Sequence, residues 1–195
     1  MAYGIAIVAG LLFGAGDQYL GTLAAGSLLG TWTWTASGMS APWVIAPFLT
    51  GSTQDRSRRA MALGLVVTLS ALVGYFAMSH SPMEGAALKD FWPRVTRMVT
   101  TGYNPVWIAA GLVTGPLFGY LGNRWRVDRW WVSAVAVASS LCLEPLARLP
   151  VGRLEPPPVV WGAEVALGIA AAAWFAFVIT SARRAAAAID SASVR

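Results

Sequence analysis

From Ala60 to Met78 the chain carries no charged residue, and an uncharged apolar run of that length has few destinations other than a bilayer. A helix of about 20 mostly apolar residues, rising 1.5 Å per residue, crosses a hydrocarbon core roughly 30 Å thick. Inside lipid the backbone N–H and C=O groups find no water, so the run has to be helical. Comparable runs recur at about 2–20, 32–51, 105–121, 130–146 and 159–182. Composition agrees with a lipid solvent. Of 195 residues, 56% are hydrophobic and 12% are charged, with a mean hydropathy of +0.58, whereas soluble domains carry about 25% charged residues. The expected fold class is all-α: a polytopic bundle of about six spans, forming one domain over 1–182 with a tail at 183–195.

The second run is the irregular one. Ala41 to Gly51 would make a helix only about 16 Å long. It must borrow from Trp32–Ser40 or pair with a re-entrant segment in Thr22–Thr31. Pro42 and Pro47 predict a broken or kinked helix there, and Gly115-Pro116 predicts another break within the fourth run.

Orientation follows from Lys and Arg. Arg56, Arg58, Arg59, Arg124, Arg126, Arg129, Arg183, Arg184 and Arg195 flank one set of span ends; Lys89, Arg94, Arg97, Arg148 and Arg153 flank the other. The larger set belongs in the cytoplasm, which puts both termini inside. Trp125, Trp130 and Trp131 would mark the inner water boundary, and Trp43, Trp92, Trp107 and Trp161 the outer one. No basic residue precedes the first run and no small-residue cleavage site follows it, so a retained span is expected there and not a removable leader. The net charge of +5 is scattered between apolar runs and forms no nucleic-acid stripe.

Between the third and fourth spans, Ser79 to Asn104 forms a long outer loop. Its apolar positions over 86–100 recur at helical spacing, with Lys89, Arg94 and Arg97 off the stripe. That pattern predicts an amphipathic helix over about 86–100, restarting at Pro93, either lying on the outer membrane surface or packed on the spans as a lid.

Two segments resemble each other. Ala9, Gly10, Leu11, Gly14, Tyr19, Leu20 and Gly21 recur as Ala110, Gly111, Leu112, Gly115, Tyr120, Leu121 and Gly122. With three spans per half, this offset is the pattern of a 3+3 inverted repeat, or else the ordinary recurrence of Ala, Gly and Leu in membrane helices. In either case Gly10 and Gly14, and Gly111, Gly115 and Gly119, are spaced four apart in the manner of close-packing membrane helices.

Asp17, Glu144 and Glu164 are the carboxylates inside spans. Counting residues from the span ends puts all three about 8 Å beneath the outer boundary. A charge at that depth needs a cavity or a partner. The three could form a cation or proton site, or be paired separately with Arg148, Arg153 and the loop arginines as structural clamps.

Other chemistry is not signalled. Cys142 and His80 are the lone residues of their types, so no intrachain disulfide, His pair or thiolate cluster is possible. No P-loop, HExxH or CxxC occurs, and no metal or other cofactor is called for.

SAPWVIAPFLTG (Ser40–Gly51), RRAMALGLVVTLSALVGYF (Arg58–Phe76) and GLVTGPLFGYLGNRW (Gly111–Trp125) together resemble a family of small actinobacterial membrane proteins of unknown function. The likeness covers roughly the first three-quarters of the chain. It implies a bacterial plasma membrane and a multi-pass protein, and it brings no catalytic residue. Three roles remain open. One is permeation of a small solute, cation or proton through Asp17, Glu144 and Glu164. The second is a non-catalytic accessory subunit, in a homo-oligomer or a larger membrane complex. The third is a lipid-acting enzyme, for which no nucleophile and base can be named.

Overall fold

The computed structural model describes residues 1–23, 28–84, 91–100, 104–149 and 158–193. Among the described residues there are helices and no strand. The helices are α1 (Ala2–Thr22), α2 (Leu28–Ser37), α3 (Ala41–Ser52), α4 (Ser57–Ser79), α5 (Phe91–Thr100), α6 (Asn104–Asp128), α7 (Trp131–Arg148) and α8 (Pro158–Ser193), with a 3-10 turn at Pro82–Glu84. Four helices are long and apolar enough to cross a membrane: α1, α4, Pro105–Asp128 of α6 and Pro158–Arg184 of α8. The chain is an all-helical membrane protein.

The expected break in the second run exists, but the prolines do not make it. The helix stops at Gly38–Ser40, between α2 and α3. Gly38 closes α2, its N–H donating to the Trp34 and Thr35 carbonyls at 3.2 Å each. Pro42 then sits in the first turn of α3, where the N–H it lacks would have had no helical partner. Pro47 lies inside α3 and Pro116 inside α6, and both helices continue through them. Away from water an uncoiled backbone has nothing to bond to, so a proline costs one hydrogen bond and not the helix.

Smaller differences have similar causes. α5 begins at Phe91 and takes Pro93 within its first turn; it lies against α6 and α4. Residues 85–90 and 101–103 of that loop, Lys89 among them, lie outside the described residues, as does Arg153. α8 does not end at 182 but runs to Ser193, through an alanine-rich stretch of the highest helix propensity.

α4 is the axis of the packing. A Cβ on Gly14 of α1 would fall on the Ala71 carbonyl, and one on Gly10 would lie 2.8 Å from Ser70 Cβ. The rising pairs Gly10–Val67 and Gly14–Ala71 show that α1 and α4 run parallel. On another side of α4, Gly119 sits against the Ala60 carbonyl and Gly115 against Gly64, so α6 runs antiparallel to α4. α3 closes on the same α6 surface, with Gly51 against Gly119. Gly111 is looser, and a Cβ there would meet only side chains, Leu72 Cδ1 at 3.0 Å and Thr68 Cγ2 at 3.2 Å. The lack of side chains at these positions lets three backbones approach closely and gain dispersion contacts that larger residues would prevent.

This arrangement departs from the expected repeat. The glycine faces of α1 and α6 both seat on α4 and not on one another. A two-fold relation between halves would require α6 to pack along α8 as α1 packs along α4. Among the described residues α6 does not run along α8; the two meet where Trp125 packs edge-on to Phe175, ring centroids 4.5 Å apart. The matching segments share a packing grammar, not equivalent neighbours.

α7 and α8 form an antiparallel pair beside this group, with Gly168 against Cys142. Phe48, Leu121, Trp125, Ala134, Val137 and Phe175 make the core that joins α3, α6, α7 and α8. Trp125 and Trp161 are buried, and Trp43 stacks between Phe13 and Tyr75. These three tryptophans are packing residues. At the Arg126 end, Asn123 accepts from Ser57 Oγ at 2.7 Å and donates to the Gln54 carbonyl at 2.6 Å. Arg126 donates to the Thr53 carbonyl at 2.6 Å and pairs with Asp55 at 3.1 Å. The α3–α4 turn is thereby tied to α6.

Candidate functional site

The first N–H groups of a helix have no acceptor within the helix itself. α3 starts in this way at Ser40, and its own cap supplies none: Ser40 makes no side-chain cap bond. The acceptor comes from α7. The Ser40 N–H donates to Glu144 Oε1 at 2.6 Å, the Ser40 hydroxyl to the same oxygen at 2.8 Å, and the Ala41 N–H to Oε2 at 2.8 Å. Pro42 has no N–H to satisfy, and the Trp43 N–H donates to the Ser40 carbonyl at 3.1 Å. The first turn is fully provided for.

Arg148, one turn beyond Glu144 on α7, completes the arrangement. Its Nε and Nη2 donate to Glu144 Oε1 at 3.1 and 2.6 Å. The same Nη2 donates to the Gly38 carbonyl at the end of α2, and the guanidinium stacks 5.1 Å from the Trp161 ring centroid on α8. The broken helix therefore presents its positive N-terminal end to a carboxylate and its negative C-terminal end to a guanidinium. Each charge matches the dipole it faces. Four elements, α2, α3, α7 and α8, are held by one ion pair.

The other two acids stand around the same turn. Glu164 of α8 faces Glu144 and feels the charge of Arg148. It is 1% exposed, and neither carboxyl oxygen meets hydrogen-bond geometry with any described residue. Asp17 of α1 is hydrogen-bonded by the Trp43 side chain; its Oδ2 is buried and has no hydrogen-bond partner among the described residues. Asp17 opens onto a cavity of about 490 Å³ lined by Gln18, Gly21, Thr22, Trp34, Thr35, Ser37, Gly38, Tyr75, Arg148 and Trp161. Glu144 and Glu164 are thus neighbours, and Asp17 shares with Arg148 the walls of one cavity. Among the described residues no group of three His, Cys, Asp or Glu is placed to hold a metal ion.

The roles of the three acids differ more than their equal depth implied. Glu144 is committed to five donors, whereas Asp17 and Glu164 keep oxygens uncommitted. The Glu144–Arg148 pair is the structural clamp that the sequence offered for this acid, and two features of the chain point to its geometry. One is the Glu144–Arg148 spacing of four, which puts both on one helix face. The other is Ser40 two residues before Pro42, a helix-start pattern after Gly38. The aromatic walls, Trp34 of α2 and Tyr75 of α4, had no comparable signal because they come from separate helices.

Comparison with curated proteins and with solved structures finds no match. Across residues 1–194 the chain matches the model of a family of unknown function, DUF6518, and belongs to that family.

Proposed function

We propose that the chain is a six-span, both-ends-in protein of a bacterial plasma membrane that passes a small solute, cation or proton through the cavity at the α2–α3 break. In this reading Glu144 and Arg148 are the fixed frame, and Asp17 and Glu164 are the exchangeable acids. The observation that carries it is Glu164: wholly enclosed, unpartnered at both oxygens, and set against a second carboxylate. A carboxyl group enclosed beside a second carboxylate is suited to taking up and releasing a proton or a cation. Broken helices whose ends face the site are the common construction of membrane transport sites.

The test is reconstitution into liposomes with an imposed proton or sodium gradient. The wild-type chain is expected to dissipate one of these faster than protein-free vesicles. Glu164→Gln, which keeps the shape and removes the ionisable group, is expected to return the rate to background while the protein stays folded. Wild-type rates equal to empty vesicles for both ions would reject the reading.

Six spans are supported by the alternating helix directions and by the basic ends. Arg56, Arg58 and Arg59 open α4, and Arg124 and Arg126 close α6 at the same end as the α3–α4 turn. Reporter fusions after Arg59, Arg126 and Arg184 are expected to read cytoplasmic, and one near Lys89 external. An external signal at Arg126 would overturn the topology.

The accessory-subunit reading has its own observation. Only 11% of the apolar window of α8 is buried, and Leu167, Ile169, Trp174 and Phe177 face outward. Gentle purification from native membrane yielding a stoichiometric second protein on α8 would favour that reading.

A further inference from the structure

We infer that the cavity beside Asp17 binds a small organic cation, an amine or quaternary ammonium, with its charged nitrogen against the Asp17 carboxylate and its carbon surface against Trp34 and Tyr75. The inference deepens the permeation reading and rests on that reading's treatment of Asp17 as an exchangeable acid. Size is the first argument. About 490 Å³ falls in the range of small-molecule sites, roughly 300–1,000 Å³, and far exceeds the room a bare ion or single water requires, about 30 Å³.

Charge is the second argument. Arg148 lines the cavity, but it is committed to Glu144, the Gly38 carbonyl and the Trp161 face. That pair is neutral as a unit, which leaves Asp17 to set the sign. Asp17 is 6% exposed, and its Oδ2 has no hydrogen-bond partner among the described residues. An anion is therefore repelled. A metal ion would need several oxygen ligands at once, and among the described residues no acidic or His/Cys group of three surrounds such a point.

The third argument is the walls. Trp34 and Tyr75 reach the cavity from α2 and α4, and Tyr75 is held edge-on to Trp43 and Phe76 at 6.0 and 5.9 Å. An aromatic face attracts a cation through its quadrupole, tryptophan most strongly. The Trp161 face is already taken by Arg148 in that manner, 5.1 Å away. One cation built into the fold thus marks what this environment favours, and Asp17 with Trp34 and Tyr75 offers the second place.

The experiment uses the purified full chain in detergent, titrated with tetramethylammonium chloride against sodium chloride at equal ionic strength. Tryptophan fluorescence and thermal unfolding are the readouts. Saturable quenching and a raised Tm are expected with tetramethylammonium alone. Asp17→Asn should weaken that binding about 10- to 100-fold, the range for losing a hydrogen-bonded charge. Trp34→Leu should weaken it about 3- to 30-fold; Trp34 is 56% exposed, so its removal leaves the fold intact even if the Asp17 variant fails to fold. Leu167→Ala, on the outward face of α8 and away from the cavity lining, should bind within about twofold of wild type. No effect beyond sodium chloride, or equal binding by wild type and Trp34→Leu, overturns the inference even if ion flux in vesicles is intact. Saturable binding lost in Trp34→Leu, with no flux in vesicles, upholds the organic-cation site and rejects permeation.

Discussion

Replacing Glu144 with alanine is expected to destabilise the protein by about 3–5 kcal/mol, the cost of removing one partner of a buried charge pair. The substitution leaves the Ser40 and Ala41 N–H groups without an acceptor and takes the carboxylate from the Arg148 guanidinium; these groups now donate to Glu144 at 2.6, 2.8 and 2.6 Å. Glu144→Gln keeps one acceptor oxygen at the same place and should recover part of the loss. The measurement is thermal or denaturant unfolding in a mild detergent, followed by helical circular dichroism. A Glu144→Ala variant as stable as wild type would mean that α3 starts by some other means. The effect should be local at first, because the clamp joins α2, α3, α7 and α8 while the α1–α4–α6 contacts do not depend on it.

The second large effect is expected at Gly119. A Cβ there would fall on the Ala60 carbonyl and lie 3.2 Å from Gly64 Cα, while Gly51 of α3 lies against the Gly119 backbone itself. All three neighbours are backbone atoms, which cannot swing aside as a side chain can. Gly119→Leu should therefore cost about 3 kcal/mol or more, at or above the top of the usual range for overpacking. Gly111→Ala, whose new methyl meets only the ends of Leu72 and Thr68, should cost less than about 1.5 kcal/mol. Gly162→Leu, with nothing within 4 Å, should be close to neutral. Apparent Tm values in one detergent give the ranking directly. If Gly119→Leu ranked with Gly162→Leu, the α3–α4–α6 contact would be wrong.

The two expectations test different layers of the structure. The glycines govern how close the helices come; the Glu144–Arg148 pair governs where one helix is allowed to stop. A variant that separates α6 from α4 should lose compactness without touching the cavity. One that releases α3 should open the cavity while α1 remains on α4.

Much of this was legible from the chain itself. The four helices long and apolar enough to cross a membrane lie where charges are sparse, since a charge in lipid costs more than any local preference can restore. The glycine spacing announced close helix contacts, and the isolated acids announced a polar region within the bundle. None of these signals depends on a partner: each is set by the residue and the solvent around it.

Partners were decided only by the tertiary structure. The glycine spacing cannot name the helix it will meet, so the likeness between Ala9–Gly21 and Ala110–Gly122 implied a symmetry that the packing on α4 does not have. Prolines mark backbone donors that are missing, but a helix ends where its free N–H and C=O groups find other acceptors and donors. For α2 and α3 those lie more than a hundred residues away, on Glu144 and Arg148. The division among the acids, one committed and two with uncommitted oxygens, has the same origin. Hydrogen bonds reach about 3 Å, and which groups come within that distance is a property of the folded bundle alone.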